Sequence, residues 1–142
     1  MSTVTARYPV ATSGGELARR TAGGVLVGVL AALVVSGMAT SLGLDLGVTG
    51  AQSPFGAIPI VTSTVVAGVG AAVAYAAIVR FTDRPVRNFS ALSAAVFVVM
   101  LVPVFVIAPS LGLTTVGQGA LVVMHVAVAA PLVAFVSGAV RL

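Results

Sequence analysis

A chain of 142 residues with 59% hydrophobic and 7% charged positions and a mean hydropathy of +1.20 is too apolar for a water-soluble domain, where about 25% of residues carry charge. Its net charge of +4 comes from arginines at the ends of apolar runs, an arrangement that excludes the continuous basic face of a nucleic-acid binder. The lack of cysteine excludes disulfides, thiolate metal sites and cysteine nucleophiles.

Residues 1–12 are polar, contain Pro9 and show no apolar period, so a flexible cytosolic tail is expected there. Ser13-Gly14-Gly15-Glu16 fits a capping box, in which serine hydroxyl and glutamate carboxylate each accept from a free backbone N–H; a helix starts here. Residues 17–20 belong at the lipid surface, and residues 21–41 carry no charge. That is long enough to cross a bilayer, which places the first span at 17–41. An alternative takes Arg19, Arg20 and this run as a signal peptide cut near Ala39, but the apolar core exceeds the usual length of about 7–15 residues.

Residues 42–58 hold glycines and Asp45 but no basic residue, and read as an outer loop in which Ser53 caps and Pro54 opens a short turn. The second span, 59–80, has Pro59 in its first turn, where the missing N–H costs nothing, and ends at Arg80. Residues 81–89 complete the densest charge cluster, with Arg80, Arg84 and Arg87 against Asp83. Asn88 or Ser90 is expected to cap the third helix, 88–108, which contains Pro103 and stops at Pro109. A short uncharged connection leads to Thr115-Val116-Gly117-Gln118, a second capping-box pattern. It opens the fourth span, 115–140, which carries Pro131 and the single histidine, His125.

With four spans, Arg7, Arg19, Arg20, Arg80, Arg84, Arg87 and Arg141 all fall on one side of the membrane; three or five spans would scatter them. By the positive-inside rule both termini and the 80–87 turn are cytoplasmic. The expected fold is an all-α bundle of four transmembrane helices formed by residues 13–142, N-in and C-in, in a multi-pass protein of the cell membrane.

Lipid offers no hydrophobic gain for joining helices, so small residues that permit close backbone approach mark the contacts. Gly24, Gly28, Ala32, Ser36 and Thr40 recur every four residues in the first span, and Thr64, Gly68, Ala72 and Ala76 in the second. The two stripes predict a tight hairpin. A weaker stripe, Ala130, Ala134 and Gly138, lies in the fourth span. The bulkier third, with Phe97, Met100, Leu101 and Phe105, is expected to face lipid or a partner. Pro103 and Pro131 free the carbonyls of Val99 and Ala127 and should bend their helices.

His125 is the sharpest candidate for chemistry, about 8 Å below the outer hydrocarbon boundary at ~1.5 Å per residue. An ionisable group at that depth ordinarily faces the bundle or a water-filled cavity. A polar pocket open to the outside is predicted, with His125 at its base and Gln118, Ser36, Thr40 and Thr64 around it. The competing expectation is structural: an imidazole bonded to a hydroxyl or backbone carbonyl, with Gln118 serving as a cap. One histidine, no cysteine and no acidic residue within a span leave no second strong ligand in one chain, so no metal or haem is expected. No carboxylate can pair with His125, and no phosphate loop or nucleophile elbow is present, so no enzymatic activity is expected. Arg80, Arg84 and Arg87 are assigned to topology and to contacts with anionic lipid headgroups.

The Arg84-Pro85-Val86-Arg87-Asn88-Phe89 approach to the third helix, the Pro103 region and Met124-His125 together resemble a family of small four-span membrane proteins of unknown function from actinobacteria and haloarchaea. The resemblance covers residues 17–140 and implies an uncharacterised integral membrane protein without catalytic residues. The expected role is non-enzymatic, through helix–helix contacts, as a homo-oligomer or an accessory subunit of a membrane assembly. The alternatives are a small transporter or channel using the His125 pocket, or a haem-bearing subunit.

Overall fold

The computed structural model describes residues 8–142. Arg7 and most of the predicted tail lie outside the described residues. Four helices follow one another: α1 (Gly14–Ser41), α2 (Ala57–Phe81), α3 (Pro85–Val106) and α4 (Thr115–Val136), with short 3-10 turns at Gly50–Gln52 and Ala108–Leu111 and no strand among the described residues. Even the 22-residue helices reach ~33 Å at 1.5 Å per residue, enough for the ~30 Å hydrocarbon layer. All four are long and apolar enough to cross a membrane. Their outward surfaces are apolar, with Leu26, Val34, Val66, Val73, Val98 and Val106 among the exposed side chains.

Local chemistry sets most of the boundaries. Ser13 caps α1 by accepting from the Glu16 N–H at 3.1 Å. α2 begins two residues ahead of the expected start, and Pro59 still falls in its first turn. In α3 neither Asn88 nor Ser90 caps. Pro85 occupies the first position, where its fixed φ suits the helix, and Arg84 precedes it without a side-chain cap. The capping residue of α4 is Thr114, which accepts from Gly117 N–H at 3.0 Å, one residue before the expected Thr115. α4 also stops a turn early: Ser137 ends it and Gly138, at φ 81°, turns the chain away. Both prolines remain inside continuous helices.

The small-residue stripe of α1 is buried as expected through Gly24, Gly28, Ala32 and Ser36, with Thr40 exposed. Its main partner differs. α1 packs most extensively on α4, and next on α2, with α3 diagonally opposite. A Cβ on Gly24 would stand 3.2 Å from Leu132 Cα, and one on Gly28 3.5 Å from Val128 Cα and 3.4 Å from Thr64 Cγ2. Val128 and Leu132 of α4 thus seat in the groove that the glycines of α1 leave open. Two grooves facing each other cannot interlock; a groove and a ridge can. The α2 stripe holds through Thr64 and Gly68, then passes to Tyr75, leaving Ala76 exposed. In α4, Ala130 is exposed, so its small-residue stripe is no seam. In α3, Phe97 and Leu101 turn half inward on the flank of Phe89 and Val104, while Met100 and Phe105 face out.

Two buried clusters close the bundle ends. At the end away from the arginines Phe55 of the 42–56 loop packs with Ala32, Ile60, Leu113 and Met124. At the other end Tyr75, Phe89 and Val136 pack together with Ala11 and Leu17 against them; the Tyr75 and Phe89 rings meet edge to face at 5.2 Å. The Tyr75 hydroxyl has no hydrogen-bond partner among the described residues although the side chain is 1% exposed. Tyr75→Phe keeps the ring and removes that hydroxyl. It is expected to leave thermal stability in mild detergent unchanged or raised by up to ~2 kcal/mol. A loss would show that the hydroxyl is bonded.

Candidate functional site

The arginine end is built around Arg20. This residue begins the buried face of α1 and is 7% exposed. Its Nη1–H donates to the Pro9 carbonyl at 2.8 Å, and Nη2 pairs with Glu16 Oε1 one turn earlier. The other Glu16 oxygen accepts from the Thr12 N–H at 2.9 Å and the Thr12 hydroxyl at 3.0 Å. The reciprocal half of the capping box is therefore made by Thr12 in place of Ser13. Glu16 lies in the first turn, outside the uncharged 21–41 segment; the Thr12 N–H first, then its hydroxyl, then Arg20 hold its carboxyl below the usual range. Residues 9–12 are bonded back onto α1 by these contacts, and Gly138 lets the guanidinium in: a Cβ there would stand 2.7 Å from Arg20 Nη1. Two surface hollows lie at this end. One of ≈ 250 Å³ is lined by Pro9, Glu16, Arg19, Arg20, Arg141 and Leu142; the other, of ≈ 320 Å³, by Ser13, Gly15, Glu16 and Arg19.

Arg80, Arg84 and Arg87 flank the turn between α2 and α3, all exposed. The Arg80 guanidinium lies 6.0 Å from the Phe81 ring centroid, at the limit of a cation–π contact. The Tyr75–Phe89 cluster beside this turn also takes in Leu17 and Val136. The six arginines within the described residues therefore share one end of the bundle, and Asp45 is at the other.

Four residues of the predicted polar pocket are bonded elsewhere and the fifth, Thr64, is packed at a helix crossing. The Ser36 hydroxyl donates to the Phe55 carbonyl at 2.7 Å and so fastens the 42–56 loop to α1. Thr40 donates to the Ser36 carbonyl of its own helix at 3.0 Å, and Thr64, 1% exposed, fills the crossing at Gly28. Gln118 donates to the Val104 carbonyl at 3.0 Å. It therefore caps the end of α3, whose last carbonyls have no helical partner, and does not cap its own helix. His125 is half-buried with Nδ1 2.7 Å from the Leu121 carbonyl; a carbonyl only accepts, so Nδ1 carries the hydrogen and Nε2 is the nitrogen left for another partner. No hydrogen bond among the described residues joins two of these five side chains. Gln118→Leu is expected to lower stability by ~1 kcal/mol through the uncapped Val104 carbonyl, read as a fall in the thermal midpoint.

Arg20 and Gly138 carry structural weight that the sequence analysis did not assign. The Glu16–Arg20 spacing of four residues is the signal for the first, and a glycine just past an apolar run is the signal for the second.

Four successive helices long and apolar enough to cross a membrane, a glycine-lined seam and basic residues gathered at one end define a multi-pass helical membrane protein. The chain belongs to the family of unknown function DUF6069, whose model matches residues 12–142. The family and its extent agree with the expectation of an uncharacterised protein across the four-span region. No curated protein and no solved structure matches the chain.

Proposed function

We propose that this protein is a non-enzymatic component of the cell membrane, with both termini and the 80–87 turn in the cytoplasm, that works through contacts of its helix surfaces with a second copy or with another membrane subunit. The observation behind this reading is α3. It buries only Phe89 and Val104, near its two ends, and presents Val98, Val99, Met100 and Val102 outward between them. A helix held at its ends, with an uninterrupted apolar stretch over 94–102, can accept a neighbouring helix along that stretch without desolvating a polar side chain. The orientation follows from the clustered arginines. Against catalysis stands the chemistry of the acidic groups. Glu16 is committed to Thr12 and Arg20, and Asp45 Oδ1 accepts from the Gly47 N–H at 3.0 Å in an exposed turn.

Purification from native membranes in mild detergent tests the reading. A second copy or another membrane protein should co-purify in fixed stoichiometry, and the contact should be lost when Val98 and Val102 are both replaced by bulky tryptophan. Recovery of a partner-free monomer overturns it. The transporter reading predicts water at Ser36, Thr64 and His125. Single cysteines placed there in this cysteine-free chain should resist a membrane-impermeant maleimide; labelling from outside would favour transport.

A further inference from the structure

We propose that the hollow between the start of α1 and the residues that follow α4 binds the phosphate group of an anionic lipid. The inference rests on the reading above that this end of the bundle lies at the cytoplasmic membrane surface. Its ≈ 250 Å³ volume falls below the ~300–1,000 Å³ of clefts that enclose whole drug-sized ligands. A headgroup phosphate fits such a space while its acyl chains remain in the bilayer.

The lining has three arginines, Arg19, Arg20 and Arg141, against one carboxylate, Glu16. That carboxylate is already engaged, with Thr12 on one oxygen and Arg20 on the other, and does not project uncompensated negative charge. Arg20, held by Pro9 and Glu16, forms a fixed wall in which its charge and that of Glu16 offset each other. Arg19 stands exposed at the rim, and Arg141, which follows the end of α4, also lines the hollow. The guanidinium fork matches phosphate oxygens in pairs, which an ammonium does not. Depth agrees as well. The hollow begins within one turn of Thr21, the first residue of the uncharged span, which is the level of lipid phosphates. Basic hollows between helices on the cytoplasmic side are sites where anionic headgroups lodge.

The test uses the full chain purified in mild detergent and exchanged into mixed micelles with phosphatidylglycerol, with phosphatidylcholine, or with inorganic phosphate and no added lipid. Retained lipid is counted by native mass spectrometry. Wild-type protein should retain phosphatidylglycerol over phosphatidylcholine. R19Q/R141Q should weaken that retention by about five-fold per arginine removed, or about 25-fold together. R84Q/R87Q takes the same charge from the same end but from the exposed 80–87 turn, whose headgroup contacts have no enclosing hollow, and should weaken retention several-fold less than R19Q/R141Q. The thermal midpoint of each variant without lipid verifies that it is folded. Equal retention of both lipids overturns the proposal, as does an undiminished signal in R19Q/R141Q or an equal fall in R84Q/R87Q. Full competition by millimolar inorganic phosphate would assign the site to soluble phosphate and overturn the lipid source. Because micelles have no sides, a wrong membrane orientation would not alter these results. It would show separately, as outside labelling of a cysteine in the 80–87 turn.

Discussion

Gly117→Ala is expected to destabilise the bundle by about 3–5 kcal/mol, seen as a large fall in the thermal midpoint in mild detergent. Gly117 is buried in the first turn of α4, and a Cβ there would overlap the Leu46 carbonyl oxygen and stand 3.0 Å from Leu113 Cγ. The oxygen cannot simply retreat. It accepts the Thr114 N–H at 3.3 Å, and its neighbour, the Asp45 carbonyl, accepts the Thr114 hydroxyl at 2.6 Å. Just beyond, Gly47 sits at φ 89°, where a Cβ would overlap the Gly112 carbonyl oxygen. Moving the loop thus sacrifices two hydrogen bonds, at ~1 kcal/mol each, in addition to a steric cost of ~1–3 kcal/mol. Gly119→Ala supplies the control, because nothing lies within 4 Å of a Cβ at that position of the same helix. It should be neutral or stabilise by up to ~1 kcal/mol. Gly47→Ala acts on the same seam and carries an additional penalty of ~1–2 kcal/mol for its left-handed backbone. The double variant should lose less than the sum of the two, since one displaced seam satisfies both intrusions. Equal melting of Gly117→Ala and Gly119→Ala would show that the 42–56 loop does not rest on α4 as described.

The four helices were legible because the solvent writes itself into composition. An uncharged run of some 20 residues has few other fates, and the arginines that punctuate the runs mark the ends. What stayed hidden depends on distant parts of the chain. Four-residue spacing locates a groove on α1 but carries no information about which helix supplies the ridge, so Val128 and Leu132 were not foreseen as its filling. The early stop of α4 has the same origin: Gly138 turns where the Arg20 guanidinium occupies the space its side chain would need. At the candidate pocket the residue types are polar, and hydroxyls and amides in apolar surroundings take the nearest carbonyl. For Ser36 that carbonyl belongs to Phe55 and for Gln118 to Val104. Neither pairing follows from spacing along a single helix. The phosphate hollow was half visible, in that Arg19 and Arg20 were placed at the lipid surface, but their meeting with Arg141 required α1 and α4 to be neighbours.

Arg20→Ala is the second change with a large expected effect, about 2–3 kcal/mol, and it should loosen one end only. The substitution removes the donor to the Pro9 carbonyl and the partner of Glu16, and empties the space beside Gly138. A hydrogen bond from a charged group contributes ~1.5–3 kcal/mol, and the alkyl stem of a buried arginine adds packing. Residues 9–12 should then become sensitive to proteinase K, with the rest of the bundle protected. Arg20→Lys should recover only part of the loss, since a single ammonium does not replace a fork that reaches Pro9 and Glu16 together. Arg19→Ala, one residue away but exposed, should stay within ~0.5 kcal/mol of wild type. The effect should also depend on pH in a fixed direction. The folded-state carboxyl of Glu16 is held below its ordinary range, by the Thr12 bonds foremost and by Arg20 in addition. Its contribution is therefore complete above that range and is lost as pH falls through the lowered value. Wild type and Arg20→Ala should differ most near neutrality, and the gap should narrow in acid as the ion pair disappears from the wild type. A gap that is unchanged down to strongly acid pH would mean that Arg20 acts through Pro9 and packing alone; comparable losses in Arg19→Ala and Arg20→Ala would remove Arg20 as the fastening point.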